Sequence, residues 1–240
     1  LKPRFSASEL LNIYKDESKK LFTKRSWTLF NVSDQYTDDG RFTMFKKYFE
    51  DTKLSHSLTE LIIPAANETC PAMSHLFTRY DACENSEDDN TLVDTLMATT
   101  AAPTFFPPYN IWNKKGTFLD GGIHLNNPAL TAYGEAIRYK VPNEKISVLS
   151  LEGNTDREMY NILGNRYQRW QIFFEEPIGL DNHESIAHLL ELGCQYIEEL
   201  DYSDENPGFK SEYSSSSNCG ADNPAAMIPP VDVPTIILNK

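Results

Sequence analysis

The chain has 240 residues, 40% of them hydrophobic, which is enough for one substantial globular domain and speaks against a fibrous or wholly disordered protein. Its 35 acidic residues outnumber 22 basic ones, and the net charge of −13 repels nucleic acid and anionic membrane surfaces, so no nucleic-acid partner is expected. No run approaches the roughly 20 consecutive apolar residues that a bilayer-spanning helix needs, so contact with lipid is expected to be peripheral or through a cleft.

The chain opens at Leu1 rather than Met and runs straight into a helical pattern, so it is read as a fragment whose true N-terminus lies upstream. A capping box, Ser6-x-x-Glu9, precedes Leu10, Leu11, Tyr14, Leu21 and Phe22 at the spacing of an amphipathic helix. A second helix is predicted over residues 42–50, where Phe42, Phe45 and Phe49 share one face and are read as core. Leu61, Ile62 and Ile63 form a short β-rich run ended by Pro64, read as a buried strand, and the acidic residues 85–90 read as a solvated loop.

Residues 92–102 predict a helix that stops before Pro103, because the residue preceding a proline is pushed out of the helical region. Phe118, Leu119 and Asp120 read as a strand running into a glycine turn. Asn127 is then expected to cap a helix with Pro128 at its first position and Leu130, Tyr133, Ala136 and Ile137 facing inward. Residues 146–151 form a second β-rich run, and Ile186, Leu189, Leu190, Gly193, Ile197 and Leu200 mark a later helix. This alternation predicts an α/β fold with a parallel sheet. After residue 201 the composition turns to Ser, Asp, Asn, Gly and Pro, so residues 201–240 are expected to form a polar, flexible tail.

Cys70, Cys83, Cys194 and Cys219 stand far apart, without the paired spacing of a zinc site or the density of a disulfide scaffold, and are read as reduced thiols. Two N-x-S/T triplets, at Asn31 and Asn67, decide nothing without a leader sequence.

The most informative stretches are MATTAAPTFFPPY at residues 97–109 and DGGIHLNNP at residues 120–128. An Asp-Gly pair alone is ordinary turn chemistry. The conjunction of A-T-x-A-A-P-T-x-F, a strand ending in D-G-G and an N-N-P helix start resembles the patatin family of acyl hydrolases. The resemblance is closest over residues 97–139 and loose over residues 5–151. It implies a three-layer α/β/α patatin-like sheet over residues 1–200, with the N-terminal strands and oxyanion loop missing.

What the resemblance implies for chemistry centres on Asp120. In the family this aspartate is the base of a Ser-Asp dyad whose serine sits in a G-x-S-x-G elbow, with an upstream glycine-rich loop supplying oxyanion donors. Gly121 and Gly122 let the backbone turn sharply and leave space beside the carboxylate, alanine at 122 being better tolerated than anything larger. The chain contains neither the G-x-S-x-G pattern nor a G-G-x-R-G-like loop, so the nucleophile is expected upstream of Leu1.

His124, four residues after Asp120, suggests a Ser-His-Asp arrangement, but the family dispenses with a catalytic histidine and a surface or partly buried histidine is the reading preferred. Asn126, Asn127 and Pro128 are expected to support the site indirectly, by holding the loop and starting the helix. The aromatic segment at residues 105–109 either lines an acyl pocket or packs under the sheet. Residues 146–153 stand where relatives often have a strand and a Leu-Gly-Thr-Gly-like turn, which Glu152 interrupts here.

The expectation is a carboxylic ester hydrolase acting on phospholipid or another acyl lipid, without metal or organic cofactor, cytoplasmic or peripheral at membranes, with secretion left open. The 240 residues by themselves are expected to be inactive. The competing readings are a non-catalytic patatin-like lipid-binding or interaction module, and a scaffold recognised through its acidic tail.

Overall fold

The structure, a computed structural model, describes residues 5–24, 34–69, 74–112, 116–151, 156–172, 174, 177–202 and 236–238. The chain divides into two compact units, Asp16–Pro128 and Leu1–Lys15 with Ala129–Lys240. Mixed α/β architecture is present as expected.

The Asp16–Pro128 unit is built on a four-stranded sheet of β1 (Ile62–Asn67), β2 (Ser74–Thr78), β3 (Tyr109–Asn110) and β4 (Thr117–Asp120). The strand order is β2-β1-β4-β3 and every pairing is antiparallel, which corrects the parallel sheet expected here. The alternation rule assumes a helical crossover between strands, whereas β1 leads to β2, and β3 to β4, through connections that turn the chain back on itself and are too short for the crossover a parallel pair needs. One face of the sheet buries Ala65, Phe77 and Phe118 with Leu54, Ala82, Ala98 and Ile111. Each buried phenylalanine contributes about 1.5–3 kcal/mol of transfer free energy.

Strand β1 runs through Pro64 instead of ending there. Pro64 is paired with Leu76 on the β2 side, while the β4 ladder begins only at Ala65. Its carbonyl oxygen accepts a 2.6 Å hydrogen bond from the Thr99 hydroxyl, so the proline nitrogen faces the side where no ladder has begun and its missing N–H costs nothing.

Two helices cover this core. Helix α2 (Asp39–Phe49) and helix α4 (Leu92–Thr99) enclose Phe45, Val93 and Met97, with Phe49 packed against them, while Phe42 lies exposed and is not core. Thr91 caps α4 by accepting the Asp94 amide at 3.0 Å, and Thr78 caps the short helix α3 (Arg79–Glu84) in the same way through Asp81. Such a cap is worth about 1 kcal/mol. Helix α4 ends at Thr99, three residues before the proline-based expectation, because the carbonyls beyond it serve partners outside the helix.

In the other unit, β5 (Val148–Leu151) pairs in parallel with β6 (Tyr167–Trp170) and with β7 (Ile236–Leu238), giving the order β6-β5-β7. The parallel reading holds here, where helix α6 (Asp156–Leu163) supplies the crossover from β5 to β6. Within the stretch read as a polar tail, the apolar Ile236–Leu238 joins this sheet. Helix α1 (Ala7–Leu21) begins with the expected capping box, in which the Ser6 amide donates to Glu9 Oε2 at 2.6 Å and the Glu9 amide to Ser6 Oγ at 3.2 Å. The late helix is α7 (Ile186–Tyr202).

Helix α5 (Ala129–Arg138) starts one residue after the expected position. Its buried face is Ala129, Ala132 and Ala136, and Leu130 and Ile137 are exposed, which reverses the expected inward face for those two. Periodicity offered two stripes at helical spacing, and the smaller side chains took the core because they permit close backbone approach. The helix closes with Lys140 at φ 62°, Val141 N–H donating to Ala136 O and Lys140 N–H to Ile137 O, a Schellman arrangement.

Candidate active site

Asp120 is the last residue of β4, opposite Ala65 of β1. Its amide donates to Ala101 O at 3.0 Å, and its carboxylate Oδ1 accepts the Gly122 amide at 2.7 Å, closing the turn on the chain's own acidic side chain. Gly121 follows, buried against β1. A Cβ there would collide with the Pro64 carbonyl oxygen and stand 2.8 Å from the carbonyl carbon. The demanding glycine is therefore 121, where the approach is to backbone that cannot yield.

The A-T-T-A-A-P-T segment forms a clamp around this turn. Met97, Ala98 and Ala101 are fully buried. Thr99 reaches across to Pro64 O, the atom that excludes a side chain at Gly121. Thr100 Oγ1 donates to Leu96 O at 2.7 Å, and Ala101 O receives the Asp120 amide. After Pro103, Thr104 takes φ 70°, a conformation costly for a β-branched residue. Its carbonyl accepts Gln35 N–H at 3.0 Å, and Phe105 O accepts Tyr36 N–H at 2.9 Å, so both flanks of the strained turn are tied down.

Arg41 of α2 lies beneath the clamp, 2% exposed. Its Nη1 donates to Met97 O at 3.1 Å and to Thr100 Oγ1 at 2.8 Å, its Nη2 is paired with Asp38, and its guanidinium lies 4.1 Å over the Phe106 ring. A cation at the last carbonyls of α4 is also favoured by the helix dipole. Burial pulls this guanidinium below its ordinary value, opposed by the Asp38 pair and by the charges of Asp120 and Tyr109, and it stays protonated. The Tyr109 phenol, half-buried and donating to Asp94 Oδ1 at 2.8 Å, is pushed above the ordinary tyrosine range by burial first and by Asp94 second.

The aromatic segment is resolved in favour of packing. Phe106 is buried against Phe22, Tyr36 and Arg41, and Phe105 stacks on Tyr36 at 6.3 Å. Asn127 is buried, Asn126 exposed, Pro128 half-buried and Gly122 half-buried within the turn. His124 is exposed, as the surface reading expects. Residues 152–153, the site of the Leu-Gly-Thr-Gly-like turn, lie outside the described residues, as do Cys70, Cys219 and Asn31. Neither Cys83 nor Cys194 is in a disulfide. No group of three or more His, Cys, Asp or Glu able to hold a metal occurs among the described residues.

Sequence reasoning missed Arg41, Thr99, Thr100 and Pro64 as parts of one structure. Only the Asp38-x-x-Arg41 spacing ahead of an apolar helix face offered a signal for the first of these.

Comparison with known proteins agrees with the motif reading. The family model described as patatin-like phospholipase matches residues 2–133. Patatin-like protein 2 of Arabidopsis thaliana is 28% identical over 204 residues, covering 77% of this chain and 45% of that protein. Patatin-like protein 2 of Oryza sativa subsp. indica is 28% identical over 162 residues, covering 60% of this chain and 39% of that protein. A cGAMP-activated phospholipase of Escherichia coli is 26% identical over 157 residues, covering 61% and 44%. The chain thus spans less than half the length of each of these relatives.

Proposed function

This chain belongs to the patatin-like phospholipase family, and on that premise we propose that the protein is a lipid acyl hydrolase in which Asp120 is the general base. The observation that carries the proposal is the way the fold fixes this one carboxylate: amide bonded to Ala101, Oδ1 bonded to the Gly122 amide, and the adjoining Gly121 pressed on Pro64. A base held this firmly needs little reorganisation when it accepts a proton.

In the proposed reaction a serine in sequence preceding Leu1 attacks the acyl carbonyl carbon while Asp120 accepts its hydroxyl proton. Collapse of the tetrahedral intermediate breaks the ester C–O bond, the proton passes to the leaving alcohol, and an acyl-serine remains. Asp120 then takes a proton from water as the hydroxide attacks the acyl carbon, and on collapse the acyl–serine C–O bond breaks and Asp120 returns that proton to the serine oxygen as the fatty acid leaves. The substrate is a phospholipid or related acyl lipid reached by peripheral contact; among the described residues no helix is long and apolar enough to cross a membrane.

One observation favours a second reading. The Asp120–Gly122 bond is also what a purely structural Asp-Gly turn would make, as in a lipid-binding module without chemistry. Labelling the protein, including sequence preceding Leu1, with a fluorophosphonate and mapping the adduct separates the two. The hydrolase reading expects one modified serine upstream of Leu1 in a G-x-S-x-G setting, and an unlabelled protein supports the binding module. Residues 1–240 purified alone are expected to release no fatty acid above buffer.

A further inference from the structure

We infer that Arg41 is the positioning residue of the Asp120 base: its buried guanidinium pins the turn to which the Asp120 backbone is bonded. The inference rests on the proposed role of Asp120 and extends it to a residue on helix α2, 79 positions earlier in the chain.

The mechanical part follows from a chain of contacts. Nη1 of Arg41 holds Met97 O and Thr100 Oγ1 together, at 3.1 and 2.8 Å. The next residue, Ala101, is fully buried and accepts the Asp120 amide at 3.0 Å. A planar guanidinium bonded at two points and stacked on Phe106 cannot rotate without breaking contacts, so the turn and the start of the D-G-G segment share its fixed geometry. Seating α2 this way also has a sequence requirement: a Cβ at Gly40 would stand 2.7 Å from Leu21 O.

The electrostatic part is secondary and follows from the charges around Arg41. Strand β1, paired with β4 at Ala65–Asp120, carries no titratable side chain, and beyond the turn His124 is exposed. Around Arg41 lie its partner Asp38 on α2, Tyr109 on β3, which is bonded to Asp94 of α4, and Asp120 itself. Arg41 is the cation of this group, and Asp120 is among the charges acting on it. A buried cation favours the ionised form of a nearby carboxylate, which is the form a base requires. Asp38 tempers that effect and is itself one-third exposed, so it can be altered with less structural penalty than Arg41.

The pH dependence of kcat/KM tests this, using the protein with its preceding sequence on phosphatidylcholine mixed micelles. Arg41→Met is expected to move the acid limb up by about one pH unit, and Asp38→Asn to move it down by about half a unit, because one removes a cation and the other an anion. Arg41→Lys keeps the charge and loses the planar fork, so the limb stays in place while kcat falls about tenfold at unchanged KM. A role confined to stability lowers activity in these variants without displacing the limb in opposite directions. If Arg41→Met does not fold, Asp38→Asn and Arg41→Lys decide the matter by the same rule. Carbon-13 NMR titration of the Asp120 carboxyl in the folded variants reads the same shifts without turnover, so a protein that hydrolyses no lipid would sink the base assignment while leaving the electrostatic coupling measured. An acid limb and a carboxyl midpoint that stay put in every folded variant overturn the inference.

Discussion

Two neighbouring stretches of sequence, the turn after β4 and helix α5, both contain a glycine beside small and apolar residues, yet the structure uses them in opposite ways. Gly121 is buried where two backbone segments touch, and nothing larger fits. Gly134, within α5, has no atom beyond its own stretch of helix backbone within 4 Å of the position its Cβ would occupy. A glycine forced by packing and a glycine tolerated on a surface look alike in a sequence. Only the non-local partner, Pro64 in β1, distinguishes them.

Substitution should therefore split the pair by sign. Gly121→Ala is expected to destabilise the protein by about 3 kcal/mol, since overpacking against backbone cannot relax by side-chain rotation. Gly134→Ala is expected to stabilise by about 0.5–1 kcal/mol through helix propensity. Urea titrations read both, and equal effects at the two positions would remove the distinction. The comparison sharpens at Thr99, whose hydroxyl shares the Pro64 carbonyl with this close approach. Thr99→Val keeps the shape and leaves that acceptor without its donor, at an expected loss of about 1–2 kcal/mol in the same titration.

The smallest expected effect lies away from the turn. Glu17 of α1 is bonded by Lys47, Lys20 and Tyr48, and these donors, the two lysines foremost, hold its carboxyl down to about 2 from an ordinary 4.5. Because the folded value is the lower one, the stabilisation is complete above pH 4.5 and is lost as pH falls toward 2. Glu17→Gln should flatten that part of the acid dependence of the melting temperature and lower the neutral-pH value by the same small amount, because solvent around the exposed lysines screens the pair.

Legibility in the sequence followed the range of the interactions involved. The capping box at Ser6 and Glu9, the strand into Asp120 and the late helix from Ile186 were legible, because each is set by residues a few positions apart. The same local reasoning misjudged Leu130 and Ile137, where two helical stripes competed and tertiary contact chose alanine, and Phe42, which lies outside the α2–α4 core. It ended α4 too late, since the Ala101 carbonyl belongs to Asp120, and stopped β1 at a proline whose nitrogen faces no ladder. The motif located Asp120, Gly121 and Gly122, while Arg41, the charged pin beneath them, lay 79 positions earlier, where no pattern links it to an aspartate.

The central claim is that Asp120 is a base and not merely a turn residue. Fatty-acid release from phosphatidylcholine mixed micelles by the full-length protein, compared with its Asp120→Asn variant at equal folded fraction, tests this most directly. The expected result is turnover in the parent and a loss of at least about a thousandfold in the variant, in keeping with removal of a general base from an acyl-transfer dyad. A variant that turns over lipid as fast as the parent would contradict it.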